Sequence, residues 1–297
     1  MKVIKIILGV TLISLLDPMA TADRAIPRGY NRVLFYDDFS SGSLDRSSWK
    51  VNTGTSYPGG PANWGTGEIQ TYADSPANVF VRDGDLFIMA QRNDKGEWTS
   101  ARIETVAEHD FSCPAGGKLL IEGNIKLGAA GTDTQAGIWP AFWLLGSAYR
   151  GNYQNWPSVG EIDILESPNG ESRTWNTVHC GDTWQGGPCN ESQGIGSTFP
   201  LSRGEWNLIA LQIDRSASPQ TITWSINSNP SFVLTADDVG DDKAWKSLIE
   251  SPKMMLLNIA VGGAFPNALA QRATPNDKTE DGEGSQMQVD YVAVYST

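Results

Sequence analysis

From residue 23 onward, apolar and polar positions alternate in short runs. Side chains on a strand point to opposite faces with a period of two, so each such run reads as a half-buried strand. The runs are 33–39 (VLFYDDF), 78–92, 100–106, 118–127 (KLLIEGNIKL), 137–145 (GIWPAFWLL), 161–167 (EIDILES), 175–180, 206–214 (WNLIALQID), 221–227, 253–263 (KMMLLNIAVGG) and 287–296 (MQVDYVAVYS). Turn signals fall between or within them at Asp83-Gly84, Gly116-Gly117 and Asn229-Pro230. Helical spacing stands out only in 241–251, where Trp245, Leu248 and Ile249 fall on one face. No repeat or linker interrupts the pattern. It predicts one all-β domain, an antiparallel sandwich or jelly roll over residues 23–297. Long loops are expected at 52–67, 146–159, 181–200 and 264–286. Several carry aromatics: Trp64, Tyr149, Tyr153, Trp156, Trp184 and Phe265. Long ordered loops on a sandwich are usually functional.

Residues 1–22 break the pattern. Lys2 and Lys5 precede an apolar stretch from Ile6 to Leu16, and Ala20-Thr21-Ala22 is a small-residue cleavage sequence. The stretch is too short for a spanning helix and reads as a signal peptide, with a membrane anchor as the alternative. A secreted protein is therefore expected. The C-terminal segment VDYVAVYST has no hydrophobic anchor tail. Without Lys2, Lys5 and Asp17 the chain keeps 20 basic and 33 acidic residues, a net charge of −13. That balance disfavours nucleic acid and anionic membranes as partners. Of three cysteines, Cys180 and Cys189 bracket a Gly-rich loop suited to a local disulfide, which leaves Cys113 as a buried thiol. Asn190-Glu191-Ser192 is an N-glycosylation sequence, expected on a surface loop.

The stretch VGEIDILESPNG, residues 159–170, places Glu161, Asp163 and Glu166 on an apolar strand. Strict alternation puts Glu161 and Asp163 on one face and Glu166, five positions on, on the other. Acidic residues are poor strand formers and are almost never buried unpaired. Three so close repel, which raises the pKa of at least one. Retaining glycoside hydrolysis uses two carboxyl groups about 5–5.5 Å apart, one nucleophile and one acid/base. A β-bulge at Ile164-Leu165 would add the residue that restores parity and turn all three carboxylates into one cleft. A calcium site or a solvated acidic strand are the alternatives.

The chain resembles glycoside hydrolase family 16, in its laminarinase-like branch. The resemblance rests on GEIDILES, on GIWPAFWLLG upstream of it, on TGEIQTY at 66–72, on LLNIAVGG at 256–263 and on the closing VDYVAVY, in the family's order. It implies a β-jelly roll of two curved antiparallel sheets with a concave substrate cleft. It also implies retaining, endo-acting hydrolysis of β-glucan. Carried over, Glu161 is the nucleophile, Glu166 the acid/base, and Asp163 the residue that tunes their shared proton. The six-residue spacing resembles laminarinases rather than the five-residue lichenases and transglycosylases, and so points to β-1,3-glucan, with mixed β-1,3/1,4 chains as a further class. A non-catalytic β-glucan-binding protein, a transglycosylase or a hydrolase of another polysaccharide on the same scaffold are the alternative functions.

Other positions follow from the same resemblance. Trp139 and Trp143 share strand parity; Trp139 fits a sugar-stacking platform, while Trp143 fits platform and core equally. Glu68 and Gln70 resemble polar sugar ligands, with turn capping as the alternative for Glu68. His179 resembles a histidine that hydrogen-bonds the nucleophile or acid. Arg102 and Asn258 resemble cleft residues that could equally brace the sheet, and Trp184 offers a further wall. Family members often have Asn at Gly67 and Trp at Phe265. No cofactor is expected for the reaction. A structural calcium ion is implied at Asp290 with backbone carbonyls near Phe39 and Gly84. The expected partner is β-glucan, and a monomer is expected.

Overall fold

The computed structural model describes residues 25–297, so the expected signal peptide at 1–22 lies outside the described residues. Two large antiparallel sheets carry the chain. One has seven strands in the order Ile195–Pro200, Arg173–His179, Glu161–Glu166, Ile138–Gly146, Lys253–Val261, Arg102–Thr105 and Trp49–Asn52. The other runs Asn229–Thr235, Thr221–Ile226, Asn207–Asp214, Lys118–Leu127, Met287–Ser296, Asp85–Ile88 and Val79–Arg82, with Arg32–Asp37 also paired to Met287–Ser296. A small third sheet joins Thr71–Tyr72, Trp98–Ser100 and Gln91–Arg92.

The alternation dictates how the large sheets meet. Phe142, Leu144, Ile162, Val178, Leu257 and Ile259 face inward from the seven-stranded sheet and pack with Ile121, Ile209, Leu211, Ile222, Val292 and Val294 of the other in one core. The opposite face of the seven-stranded sheet carries the polar residues and forms the floor of a cleft. The helix expected at 241–251 is present as Asp242–Ile249, capped by the Asp241 carboxylate, which accepts from Ala244 N–H; Trp245, Leu248 and Ile249 are buried. Asp83 and Gly84 both adopt positive φ (55° and 85°), the turn geometry that two-residue hairpins favour, and Gly pays no Cβ penalty there.

Three loop assignments are corrected. Ile195–Pro200, placed in the 181–200 loop, is an edge strand; its sequence IGSTFP alternates half-buried and exposed positions and lacks the apolar content that flags a strand. The 264–286 loop opens with a helix, Ala264–Ala270. The turn assigned to Asn229-Pro230 lies two residues earlier, at Asn227 and Ser228 (φ 50° and 65°). Pro230 instead sits in an edge strand, where its missing N–H is tolerated.

Candidate active site

The cleft is organised by one extra residue. Strand Glu161–Glu166 pairs with Ile138–Gly146 as Leu145↔Glu161, Leu144↔Ile162 and Trp143↔Asp163, then as Phe142↔Leu165 and Ala141↔Glu166. Ile164 has no partner in this ladder. On the other side Thr177 pairs with Asp163 and Trp175 with Glu166, so Asn176 alone spans Ile164 and Leu165. Ile164 and Leu165 are both fully buried in the core. The bulge expected from parity is present, and Glu161, Asp163 and Glu166 share the cleft face.

A bulge leaves backbone groups out of the ladder, and buried ones need partners. Asn176 Nδ2 donates to Ile164 O at 2.7 Å, and Trp224 Nε1, from the opposite sheet, donates to Asp163 O at 2.8 Å. Gly160 starts the strand at φ +72°, and a Cβ there would lie 2.5 Å from Ser247 O. Both its backbone and its lack of a side chain are therefore required just before Glu161.

The carboxylates are short of cations. Asp163 and Glu166 are buried, and Glu161 is partly exposed. Burial pushes Glu166 up to about 7; Glu161 adds to the rise, while His179 and the Trp139 hydrogen bond oppose it. Glu161 is also raised, mainly by burial, and His179 opposes this most. Asp163 is raised well above its ordinary value by burial and by the charges of Glu166, Glu161 and Glu191. Trp139 Nε1 donates to Glu166 Oε1 at 2.9 Å, and the Trp156 side chain hydrogen-bonds Glu161. One donor atom from each of Glu161, Asp163 and His179 falls within 4.8 Å of the others. A proton held at Glu166, with a second carboxyl group at Glu161 on the same face, is what acid-assisted displacement needs.

The flank formed by Lys253–Val261 and Arg102–Thr105 is aromatic and paired. The Arg102 guanidinium lies over Trp64 (4.7 Å), Trp143 (4.8 Å) and Tyr57 (5.4 Å). Trp143 Nε1 donates to Asn258 Oδ1 at 2.8 Å, and Asn258 Nδ2 donates to Tyr72 OH at 3.2 Å. With Glu68, Tyr149, Tyr153, Gln154 and Trp184, the side chains of Tyr57, Trp64, Arg102, Trp143 and Asn258 wall a cleft of about 400 Å³, with Tyr72 buried behind it. Flat aromatic faces and planar polar groups suit an elongated, neutral, hydroxyl-rich ligand.

The matching solved structures share this architecture. The endo-1,3-beta-glucanase from Streptomyces sioyaensis is 43% identical, superposes with a TM-score of 0.86, and the alignment covers 92% of this chain and 98% of that one. The chain belongs to glycoside hydrolase family 16. The XgeA-like catalytic domain model of family 16 matches residues 127–203, which span the bulged strand. The endo-beta-1,3-glucanase from Pyrococcus furiosus is 29% identical with a TM-score of 0.68, covering 89% of this chain and 94% of that one. Glucan endo-1,3-beta-glucosidase A1 of Niallia circulans is 28% identical over 290 residues, 89% of this chain and 37% of that protein. The chain spans between 34% and 54% of the length of the curated relatives it matches first.

Within this family 16 cleft, Glu161, Asp163, Glu166, Trp139, Trp143, Glu68, Arg102, Asn258 and Trp184 all line the same cavity. Trp184 stands 72% exposed at its rim. Gln70 is corrected: it is fully buried behind Glu68, with Nε2 donating to Glu68 Oε2 (2.6 Å) and Oε1 accepting from Val261 N–H (2.7 Å), so it braces Glu68 rather than reaching a sugar. Glu68 is partnered too, by Thr66, Gln70 and Tyr72. His179 turns Nε2 toward Asp163 Oδ2 at 3.5 Å. Phe265 packs edge-on against Trp139 (5.5 Å) and Trp175 (5.7 Å). The Cys180–Cys189 disulfide is formed, Cys113 is a buried thiol, and Asn190 is exposed. Asp290 lies on the other large sheet, where its Oδ2 accepts from Asn124 Nδ2 at 2.9 Å.

Sequence reasoning missed Glu191, which hydrogen-bonds His179, and Glu104 and Tyr57, which surround Arg102. Glu104 is two positions from Arg102 on one strand, so parity alone could have flagged it. Glu191 had a signal only as the middle of the glycosylation sequence.

Proposed function

We propose that this chain is a secreted, retaining endo-β-1,3-glucanase, with mixed β-1,3/1,4 chains as a further substrate class to test. The observation that carries the reading is the bulge at Ile164, which puts Glu161 and Glu166 on one face while burial keeps the Glu166 proton near neutral pH. Glu166 donates that proton to the departing glycosidic oxygen as Glu161 attacks the anomeric carbon. The C–O bond to the leaving sugar breaks, and a glycosyl ester forms on Glu161. Ionised Glu166 then takes a proton from water, whose oxygen displaces Glu161 from the anomeric carbon and restores the starting charges. Asp163, kept neutral between them, donates its proton toward the charge on Glu161. Trp139 holds Glu166 through its indole N–H, and the Arg102–Trp143–Asn258 flank holds the sugars. The disulfide and the exposed Asn190 support export. Among the described residues no helix is long and apolar enough to cross a membrane.

The test is proton NMR of laminarin hydrolysis. The β-anomer is expected first at the new reducing end, and an α-anomer first would exclude the double displacement. Reducing ends that never appear from laminarin, lichenan, agarose or chitin would favour a binding protein instead.

For the structural calcium, the residues at hand are compatible. Asp290 spends one oxygen on Asn124, and its charge, together with burial, raises Asp85 above its ordinary value. The Asp290 carboxylate and turn carbonyls near Phe39 and Gly84 would hold the ion, which would neutralise that charge and brace the outer sheet. A chelator should then lower the melting temperature of the wild-type protein and leave that of D290N unchanged.

A further inference from the structure

Just past the disulfide-closed loop lies a carboxylate that the displacement itself does not use. Glu191 is 5% exposed and lies two residues past Cys189. Its backbone returns to the loop by paired bonds with Gly186, and its side chain turns inward. Oε1 accepts from Cys180 N–H at 2.8 Å, and Oε2 lies 2.7 Å from His179 Nδ1. The opposite ring nitrogen, Nε2, faces Asp163 Oδ2 at 3.5 Å, an oxygen that is buried and has no hydrogen-bond partner. The imidazole is thus gripped from behind by one carboxylate and aimed at the carboxylates in front.

We propose that Glu191 is a positioning residue that acts through His179: it fixes a proton on Nδ1, directs Nε2 at Asp163, and favours the imidazolium whose charge offsets Glu161 and Glu166. The proposal rests on the reading of Glu161 and Glu166 as the reacting pair. Glu191 touches neither substrate nor reacting atoms. Its role resembles that of any carboxylate that orients an imidazole from its far nitrogen.

The charged groups around the ring are consistent with this. Glu161, Asp163 and Glu166 face it from the bulged strand and Glu191 from the loop. Burial acts against the cation, yet the Glu191 hydrogen bond and the charges of Glu161, Glu191 and Glu166 outweigh it, so His179 is raised above its ordinary value. The Trp156 ring, 5.5 Å away and tilted at 44°, covers one side of the imidazole and hydrogen-bonds Glu161. The Cys180–Cys189 bond closes the loop whose Gly186 pairs with the Glu191 backbone.

The experiment uses E191Q and E191D in the full chain. The chain has two histidines, His109 and His179, so imidazole NMR follows His179 without ambiguity. Its pKa in E191Q is expected to fall by about one unit or more, because the variant removes a buried anion at hydrogen-bond distance. E191D should restore part of it. In the pH profile of kcat/KM on laminarin, the alkaline limb belongs to Glu166. Loss of the imidazolium removes a charge that holds Glu166 down, so this limb moves to higher pH in E191Q. kcat should fall on the order of tenfold with KM nearly constant. An unchanged His179 titration in folded E191Q, or a lower kcat with an unmoved alkaline limb, would overturn the proposal and leave Glu191 as a loop anchor. The titration needs no substrate, so it also separates this proposal from the assignment of the reaction: an inactive wild-type protein with a His179 pKa that depends on Glu191 would sink the reaction and keep the coupling.

Discussion

Two clusters of buried charge share one cleft, and they are built on opposite principles. Beside Arg102 the buried carboxylate, Glu104, is answered. Glu104, 1% exposed, accepts from Tyr57 OH and from Asn52 Nδ2 (2.9 Å), and lies 3.2 Å from Lys50 and 3.7 Å from Arg150. Burial would raise Glu104, but the Tyr57 and Asn52 hydrogen bonds with Lys50 and Arg102 hold it below its ordinary value. Around Glu161, Asp163 and Glu166, His179 and, for Glu161, Arg102 are set against several carboxylates, and all three are raised. The same fold can thus satisfy a buried carboxylate or leave it short. Satisfaction holds the sheet; the shortfall keeps a proton available for chemistry.

The sharpest break of this comparison is Glu161→Gln. Removing the carboxylate proposed to attack the anomeric carbon should lower kcat by at least about 10³-fold. Removing a charge that its surroundings disfavour, and that only His179 and Arg102 offset, should leave the urea midpoint equal or higher. An E161Q protein that turns over laminarin normally, or one that is strongly destabilised, would show the contrast to be wrong. Glu104→Ala should do the reverse on the other side. It strands Tyr57 OH, Asn52 Nδ2 and the Arg102 charge, at a cost of about 3–5 kcal/mol in urea unfolding.

The pH dependence separates the clusters by sign. Glu166 has a folded pKa of about 7, above its ordinary value of 4.5. The folded state therefore holds an extra proton between those values, and stability falls as pH rises through that window. Glu104 is lowered from 4.5, so its contribution is present above that value and lost as pH falls through the folded pKa. Measured against wild type, E166Q should gain relative stability from pH 4.5 to 7, whereas the deficit of E104Q should shrink only below pH 4.5. Activity should decline as pH rises past about 7, where Glu166 gives up its proton.

Most of the floor of the cleft was legible because it follows from period two. GIWPAFW places Trp139 and Trp143 on one face, and GEIDILE breaks parity in a way only an added residue repairs. What holds that residue was not legible. Asn176 and Trp224 reach the freed carbonyls from a neighbouring strand and from the opposite sheet, and no local spacing encodes either contact. Glu191 was hidden for the same reason: its sequence neighbours describe a surface loop, and only the fold brings it under His179. Gln70 misled because parity assigns a face and not a depth.

The smallest effect tests whether the clusters are electrically separate. Trp143→Phe keeps the ring over Arg102 but removes the Nε1 donor to Asn258 Oδ1. An unpartnered buried amide oxygen costs about 1 kcal/mol. If Asn258 holds sugar only in the geometry that bond fixes, KM should rise about 2- to 5-fold. No titrating group is lost, and Arg102 keeps its charge, so both limbs of the pH profile should stay in place. A shifted alkaline limb in W143F would mean that the paired flank also sets the Glu166 proton, and that the two clusters act as one.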